Sequence, residues 1–283
     1  MRSMESRIYK IIIGDSRDMS EVENGSVQLV ITSPPYWFLV RFSEDGDAGA
    51  ENDLSRIMDR EKFFEELGKV WKECYRVLRR GGYLVCEFEN IPTGSWLYGY
   101  PREINITGDM VKSIEDAGLY LISEWYWKKF EAGASTEKFR YLTYENLKHS
   151  DPRAVKNVAE IKVFKKKGGK RRDLDFSREE WIEWCDAVWR IENPSATAEG
   201  ISGGAVFPYE LVRRLMKIYS LPGDVVLDPF LGTGTVMKVA YDLDRSCIGY
   251  EALPKMLSVI KKKVGYGRRK LFGDVKWEII RKY

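Results

Sequence analysis

A single histidine, His149, stands in the 283-residue sequence. Hydrolytic triads, histidine-ligated metals and imidazole acid–base catalysis are therefore all but excluded by supply, and no metal is expected. The four cysteines, Cys74, Cys86, Cys185 and Cys247, are scattered and form no CxxC pair. That argues against a zinc ribbon or a disulfide framework and fits a reducing interior. No apolar run approaches the roughly 18 residues of a membrane span, and no charged-then-apolar amino terminus marks a secretory signal. The expectation is a soluble, cytoplasmic protein with no membrane partner. Neither sign of charge dominates, since the formal net charge is +3. A mildly basic chain permits a nucleic-acid partner without requiring one.

What the sequence does have is material for a core, with 44% hydrophobic residues, enough for one large α/β domain or two small ones. Short apolar, β-branched runs predict strands over 9–13, 27–31, 83–88, 119–127, 158–164, 225–227 and 247–250. Between them, apolar residues at three- and four-residue spacing predict a helix over 60–79, stopped by Gly81-Gly82. Further helices are predicted over 103–117, after Ser177, over 207–219 and over 236–241. This alternation implies an α/β fold, a mostly parallel sheet with helices on both faces. Residues 1–283 read as one domain with irregular insertions at 129–157 and 167–202. Residues 41–56 are polar, acidic and glycine-containing, and a mobile loop is expected there.

Two junctions stand out. Thr32-Ser33-Pro34-Pro35-Tyr36-Trp37 follows directly on an apolar strand. Neither proline can donate a backbone hydrogen bond, and the residue before each is pushed out of helical space. The strand must stop and turn there, which delivers a hydroxyl, a carbonyl and two aromatic rings to the carboxyl edge of the sheet, where open α/β sheets bind ligands. The second junction is Asp228-Pro229-Phe230-Leu231-Gly232-Thr233-Gly234-Thr235, between a strand and a helix. Glycines let the backbone come close and the first amides of a helix point outward, the usual cradle for a nucleoside-bearing cofactor. The next strand ends at Glu251, roughly 20 residues on, the spacing of an acid that binds ribose hydroxyls.

Two weaker signals have two readings each. The run Lys165-Lys166-Lys167-Gly168-Gly169-Lys170-Arg171-Arg172 is a solvated turn or a patch that contacts nucleic-acid phosphates. Trp181 and Trp184 share a helix face and read as core first, as a base-stacking platform second.

Taken together and in this order, the two junctions resemble those of amino methyltransferases dependent on S-adenosylmethionine. Specifically, the chain resembles the β-class DNA methyltransferases that act on exocyclic nitrogens, in which the catalytic half precedes the cofactor half. The resemblance extends to Gly14-Asp15, to residues 78–88, to Ala187-Val188-Trp189-Arg190-Ile191 and to Ala205-Val206-Phe207-Pro208-Tyr209-Glu210-Leu211. It implies a Rossmann-like methyltransferase fold with circularly permuted motif order and S-adenosyl-L-methionine as cofactor. By the same resemblance, Asp228, Pro229, Phe230, Gly232, Thr233, Gly234 and Thr235 hold the methionine end of the cofactor. Glu251 takes the ribose hydroxyls, Asp15 the adenine amino group, and Phe207 lies on the methionine side. Family members often carry a histidine a few residues before the Phe-Pro pair, where this chain has Ser202-Gly203-Gly204.

Methyl transfer from a sulfonium is an in-line displacement, so the site must mainly hold an amine lone pair opposite the leaving sulfur. An exocyclic base amine is conjugated into its ring and is a poor nucleophile. Its two protons, accepted by the Ser33 hydroxyl and the Pro34 carbonyl on a turn that Pro35 stiffens, would leave the lone pair free. Tyr36 is placed to stack on an extruded base, with Trp37 nearby. Serine at position 33, where adenine-directed members usually have aspartate, resembles the cytosine-directed members. Cytosine N4 in DNA is the expected target, and cytidine in structured RNA such as rRNA and adenine N6 are the alternatives. Carbon-5 methylation would need a nucleophilic cysteine, which members place in a Pro-Cys pair absent from this chain.

Overall fold

Apolar alternation along the strands sorts side chains to two faces of one sheet, and amphipathic helices cover both. The structure is a computed structural model that describes residues 6–37, 42–93, 98–100, 102–130, 154, 157–169, 173–192, 206–269 and 274–282. In chain order the elements are β1 (Arg7–Ile13), β2 (Val27–Thr32), α1 (Arg60–Val77), β3 (Leu78–Phe88), β4 (Ile91–Thr93), β5 (Arg102–Ile104) and α2 (Ile106–Asp116). They continue with β6 (Tyr120–Lys128), β7 (Val158–Lys165), α3 (Arg178–Trp184), β8 (Val188–Arg190), α4 (Tyr209–Tyr219) and β9 (Val225–Asp228). The last are α5 (Thr235–Asp242), β10 (Ser246–Glu251), α6 (Leu257–Val264) and β11 (Val275–Arg281).

The main sheet runs β11-β1-β10-β9-β2-β3-β7-β6-β8, and β4 with β5 forms a separate hairpin. Strands from β11 to β3 are parallel, and β7 alone runs against its neighbours β3 and β6. This is the mixed, mostly parallel sheet expected. The two-residue period decides which face each side chain joins. In β1, Ile11 and Ile13 enter one core with α4 and α5, while Ile12 enters the other with α1 and α2.

Helix α1 shows why the periodicity was readable. Asp59 caps it by accepting from the Lys62 amide at 2.7 Å, and Phe63, Leu67, Val70, Trp71, Cys74 and Val77 are all buried on one side. Each large apolar side chain so buried contributes about 1.5–3 kcal/mol, so the six together outweigh a cap worth about 0.5–2 kcal/mol. The expected stop at Gly81-Gly82 is corrected: α1 ends at Val77, because Leu78 is extended and pairs with Val27. The glycines instead make an irregularity inside β3, where Gly81 (φ +78°) passes so close to the Gly168 carbonyl that a Cβ would sit 2.5 Å from it. The loop expected over 41–56 is also corrected: its described residues, from Phe42 on, make a folded connection. Asp53 accepts from the amide and hydroxyl of both Ser43 and Ser55 at 2.6–3.0 Å, and short helical turns form at Ala50–Asn52 and Leu54–Arg56.

One consequence of the topology positions the site. After β2 the chain crosses through α1 on one face towards β3, and after β9 it crosses through α5 on the other face towards β10. Neighbouring parallel strands whose connections leave in opposite directions open a crevice at their carboxyl ends. Both motif junctions lie at that point.

Candidate active site

The two junctions are joined directly. Thr32 Oγ1, the last residue of β2, donates to Asp228 Oδ1, the last residue of β9, at 2.9 Å, and the Phe230 amide donates to the same oxygen at 3.1 Å. Asp228 is buried, and burial pushes its carboxyl up to about 7 despite these two donors.

The turn that follows Thr32 is organised by a residue that motif reading passed over. Ser33 Oγ donates to Glu87 Oε2 at 2.7 Å, and the Tyr36 hydroxyl lies 3.0 Å from each oxygen of the same carboxylate. Glu87 belongs to β3, the neighbour of β2, and is buried. Burial raises its pKa, Lys129 4.0 Å away counters that in part, and burial with the adjacent carboxylate raises the Tyr36 phenol well above its usual value. Lys129 also pairs with Glu89 at 3.1 Å. A signal for Glu87 existed in the sequence: it is the one carboxylate inside the run Tyr83-Leu84-Val85-Cys86-Glu87-Phe88. A charged residue there must be paired.

Both aromatic rings of the turn are more buried than a free stacking platform would be. Tyr36 is held by its hydroxyl. Trp37 donates Nε1 to the Met58 carbonyl at 3.0 Å and lies under the Arg60 guanidinium, 5.8 Å from the ring centroid. Among the described residues, the Pro34 carbonyl accepts no hydrogen bond.

On the cradle side, Gly232 (φ +54°) and Gly234 (φ +89°) adopt left-handed backbone, and Gly234 begins α5 with no side chain capping it. The Gly232 amide donates to Glu251 Oε2 at 3.0 Å, and the Leu253 amide donates to Oε1 at 2.9 Å. Burial brings the Glu251 carboxyl up to about 7. Thr233 Oγ1 accepts from Lys263 Nζ at 3.0 Å and lies 3.5 Å from Thr235 Oγ1. Gly14 at the end of β1 donates its amide to the Glu251 carbonyl, which places Asp15 at the same edge. The Asp15 carboxylate is engaged by the Arg17 amide and guanidinium at 2.8–3.0 Å. Phe207 packs, half-buried, against the core on the α4–α5 face, and Pro229 and Phe230 turn between Asp228 and the glycines.

The described part of the basic run, Lys165 to Lys167, is not brought to this edge. Because β7 is antiparallel to β3, Lys165 pairs with Tyr83 at the opposite end of the sheet, roughly 17 Å of strand away from Phe88. There Lys166 Nζ donates to the Tyr75 and Leu78 carbonyls at 2.6 and 2.8 Å, a structural role, and Lys167 is exposed. Lys170, Arg171 and Arg172 lie outside the described residues, as does Ser202-Gly203-Gly204. Trp184 is core, whereas Trp181 is not: it is exposed and stacks on Phe176 at 5.4 Å.

Comparison with known proteins bears on this geometry. A family model described as DNA methylase matches residues 27–262. The type II methyltransferase M.MjaI of Methanocaldococcus jannaschii is 30% identical, over 96% of each chain. M.MthZI of Methanothermobacter thermautotrophicus is 29% identical, over 90% of this chain and 76% of its own. Among solved structures, TTHA0409 of Thermus thermophilus, complexed with S-adenosyl-L-methionine, superposes with a TM-score of 0.71 at 24% identity, covering 97% of this chain and 99% of that one. PvuII DNA methyltransferase, cytosine-N4-specific, gives 0.65 at 18% identity, covering 98% and 99%. These two show a shared Rossmann-like methyltransferase fold. Among the described residues, no helix is long and apolar enough to cross a membrane.

Proposed function

The chain belongs to the DNA methylase family, and on that premise we propose that it transfers a methyl group from S-adenosyl-L-methionine to the exocyclic N4 amine of cytosine in DNA. The observation that carries this reading is the hydrogen bond from Ser33 to Glu87. A hydroxyl has one proton and two lone pairs. With its proton held by a buried carboxylate, Ser33 is left to accept, and the Pro34 carbonyl is the second acceptor. A base amine that donates both protons in hydrogen bonds to these oxygens keeps its lone pair on nitrogen. Serine in this place, where adenine-directed members usually carry aspartate, supports cytosine over adenine. The matched family is one of DNA methylases, and the structured-RNA alternative finds no support in it.

The residues at the crevice fit the cofactor. Among the described residues no cation is paired with Asp228 or Glu251, and both carboxyls are raised to about 7 by burial. A ligand that carries an ammonium, a sulfonium and ribose hydroxyls supplies the charge and the donors they lack. The glycines of the cradle admit its backbone contacts, and the uncapped start of α5 leaves amides to receive a carboxylate. When bound, S-adenosyl-L-methionine supplies an electrophilic methyl group on a sulfonium leaving group. The Thr32–Asp228 bond keeps the acceptor turn and the cradle at a fixed separation, which is the positioning an in-line displacement needs. As the nitrogen–methyl bond forms, the amine must shed a proton, and Glu87, its pKa raised by burial, is able to take it up through Ser33 as Ser33 passes its own proton on. We propose that reading of the target sequence falls to 129–157, which begins with Lys129 beside Glu87, rather than to 167–202, which is not an irregular insertion throughout but supplies α3 and the sheet strand β8.

The test is incubation of duplex DNA with methyl-labelled S-adenosyl-L-methionine, followed by digestion and mass spectrometry of the nucleosides. N4-methyldeoxycytidine is expected. Label in N6-methyldeoxyadenosine would move the assignment to adenine, and label confined to RNA would overturn the substrate.

A further inference from the structure

Large aromatic side chains left open to solvent at a functional edge ask for a partner. The connection between β4 and β5 carries two. Tyr98 is 39% and Tyr100 57% exposed. Their ring centroids lie 6.5 Å apart with planes inclined at 38°, so neither ring covers the other's face. The Arg102 guanidinium carbon sits 5.0 Å from the Tyr98 ring centroid.

The hairpin that presents them is firmly footed. Ile91 pairs with Ile104, both buried, and Thr93 Oγ1 donates to the Arg102 carbonyl at 3.0 Å. Asn90 Oδ1 accepts from the Ile106 and Thr107 amides at 3.0 Å, which fixes where the hairpin leaves β3 and where α2 begins. It also stands in the right place. β3 lies alongside β2, with Thr32 opposite Cys86, so the hairpin springs from the same edge as Ser33 and Tyr36. Arg60 bridges the two: it covers Trp37, donates to the Asn105 carbonyl at 2.8 Å and pairs with Asp109 on α2. Phe42 and Met58, also exposed, lie on the connection between β2 and α1 at this edge.

We propose that the β4–β5 hairpin is a stacking finger for DNA, in which Tyr98 and Tyr100 take up base faces exposed when the target leaves the helix and Arg102 contacts the adjoining phosphate. The inference rests on the DNA-methylation reading above. An enzyme that alkylates a base amine must lift the base from its stack, and every neighbour left behind loses a partner. Aromatic rings replace that contact without regard to sequence, and an arginine beside them adds charge for the backbone. Two exposed tyrosines at the rim of the acceptor turn, Tyr98 with Arg102 over one face of its ring and Tyr100 the more open, match that requirement.

The experiment compares the wild-type chain with the double variant Tyr98→Ala/Tyr100→Ala and with Tyr98→Phe/Tyr100→Phe. Each is assayed on a fully paired duplex and on one with the target cytosine mispaired, with 2-aminopurine beside the target as the reporter of unstacking. The alanine variant should lose about tenfold or more in kcat/KM on the paired duplex. It should also lose the fluorescence rise, regain most of its rate on the mispaired duplex, and bind cofactor as the wild type does. The phenylalanine variant should match the wild type throughout. Equal loss on both duplexes, or alanine activity within about twofold of wild type on the paired one, overturns the finger. Absence of DNA methylation by the wild-type chain would instead sink the reading beneath it, and the finger with it.

Discussion

A hydroxyl can give or accept a hydrogen bond, and at Ser33 a neighbour on the next strand makes the choice. Glu87 holds the Ser33 proton and the Tyr36 proton on one buried carboxylate. Replacement by glutamine keeps the shape but leaves one oxygen and puts an amide donor where the second stood. With its oxygen at the Oε2 place the amide still accepts from Ser33 and Tyr36 but without the carboxylate's charge, and with its nitrogen there Ser33 must accept from the amide and present its proton to the incoming amine. Glu87→Gln is therefore expected to lower the single-turnover methylation rate about 10- to 100-fold, since a hydrogen bond to a charged group is worth about 1.5–3 kcal/mol. Cofactor affinity should stay as in the wild type, because Glu87 lies on the acceptor side of the Thr32–Asp228 link. An unchanged rate would mean that Ser33 finds its orientation elsewhere.

Among the elements, the connection from β2 to α1 has the least obvious design. Gly49 sits at φ +81° and so close to the strand end after Glu251 that a Cβ would lie 2.1 Å from the Ala252 carbonyl oxygen. Lys255 pairs with Asp47 across the same contact. Gly49→Ala should push this connection off the cofactor edge, costing about 1 kcal/mol or more by urea denaturation and weakening S-adenosyl-L-methionine binding in calorimetry. Wild-type affinity in that variant would detach the connection from the cofactor site. None of this was legible in a stretch with no apolar period, because its order comes from one aspartate serving two serines. What was legible followed from periodicity and from residues with few conformational options: the strands β1, β2, β9 and β10, the helix α1, and both junctions. The edge strand β11 escaped notice because its alternation is mixed with charges, as in Lys276, Glu278 and Arg281. The basic run at 165–167 was visible but not its place, since the antiparallel sense of β7 is not written in its composition.

At the scale of the whole molecule, strand order gathers Asp228 and Glu251 from distant parts of the chain at one edge, and among the described residues neither is paired with a cation. Burial raises Asp228 and Glu251 to about 7, whereas the unfolded chain ionises them near pH 4. Between those limits the folded state holds protons that the unfolded state has released, so stability falls as pH rises through this window and levels off above it. A cationic cofactor reverses the preference by favouring the ionised pair. Binding then expels the protons still held, and affinity should climb as pH rises towards about 7, by up to about tenfold per pH unit for each proton released, and flatten beyond. Isothermal titration of S-adenosyl-L-methionine in two buffers of different ionisation heat counts those protons directly. Asp228→Asn keeps the acceptor for Thr32 but has no carboxyl to ionise, so it should bind more weakly and release fewer protons than the wild type. Affinity that does not change between about pH 5.5 and 8.5, with no proton release, would show that the carboxylates are already ionised before the cofactor arrives.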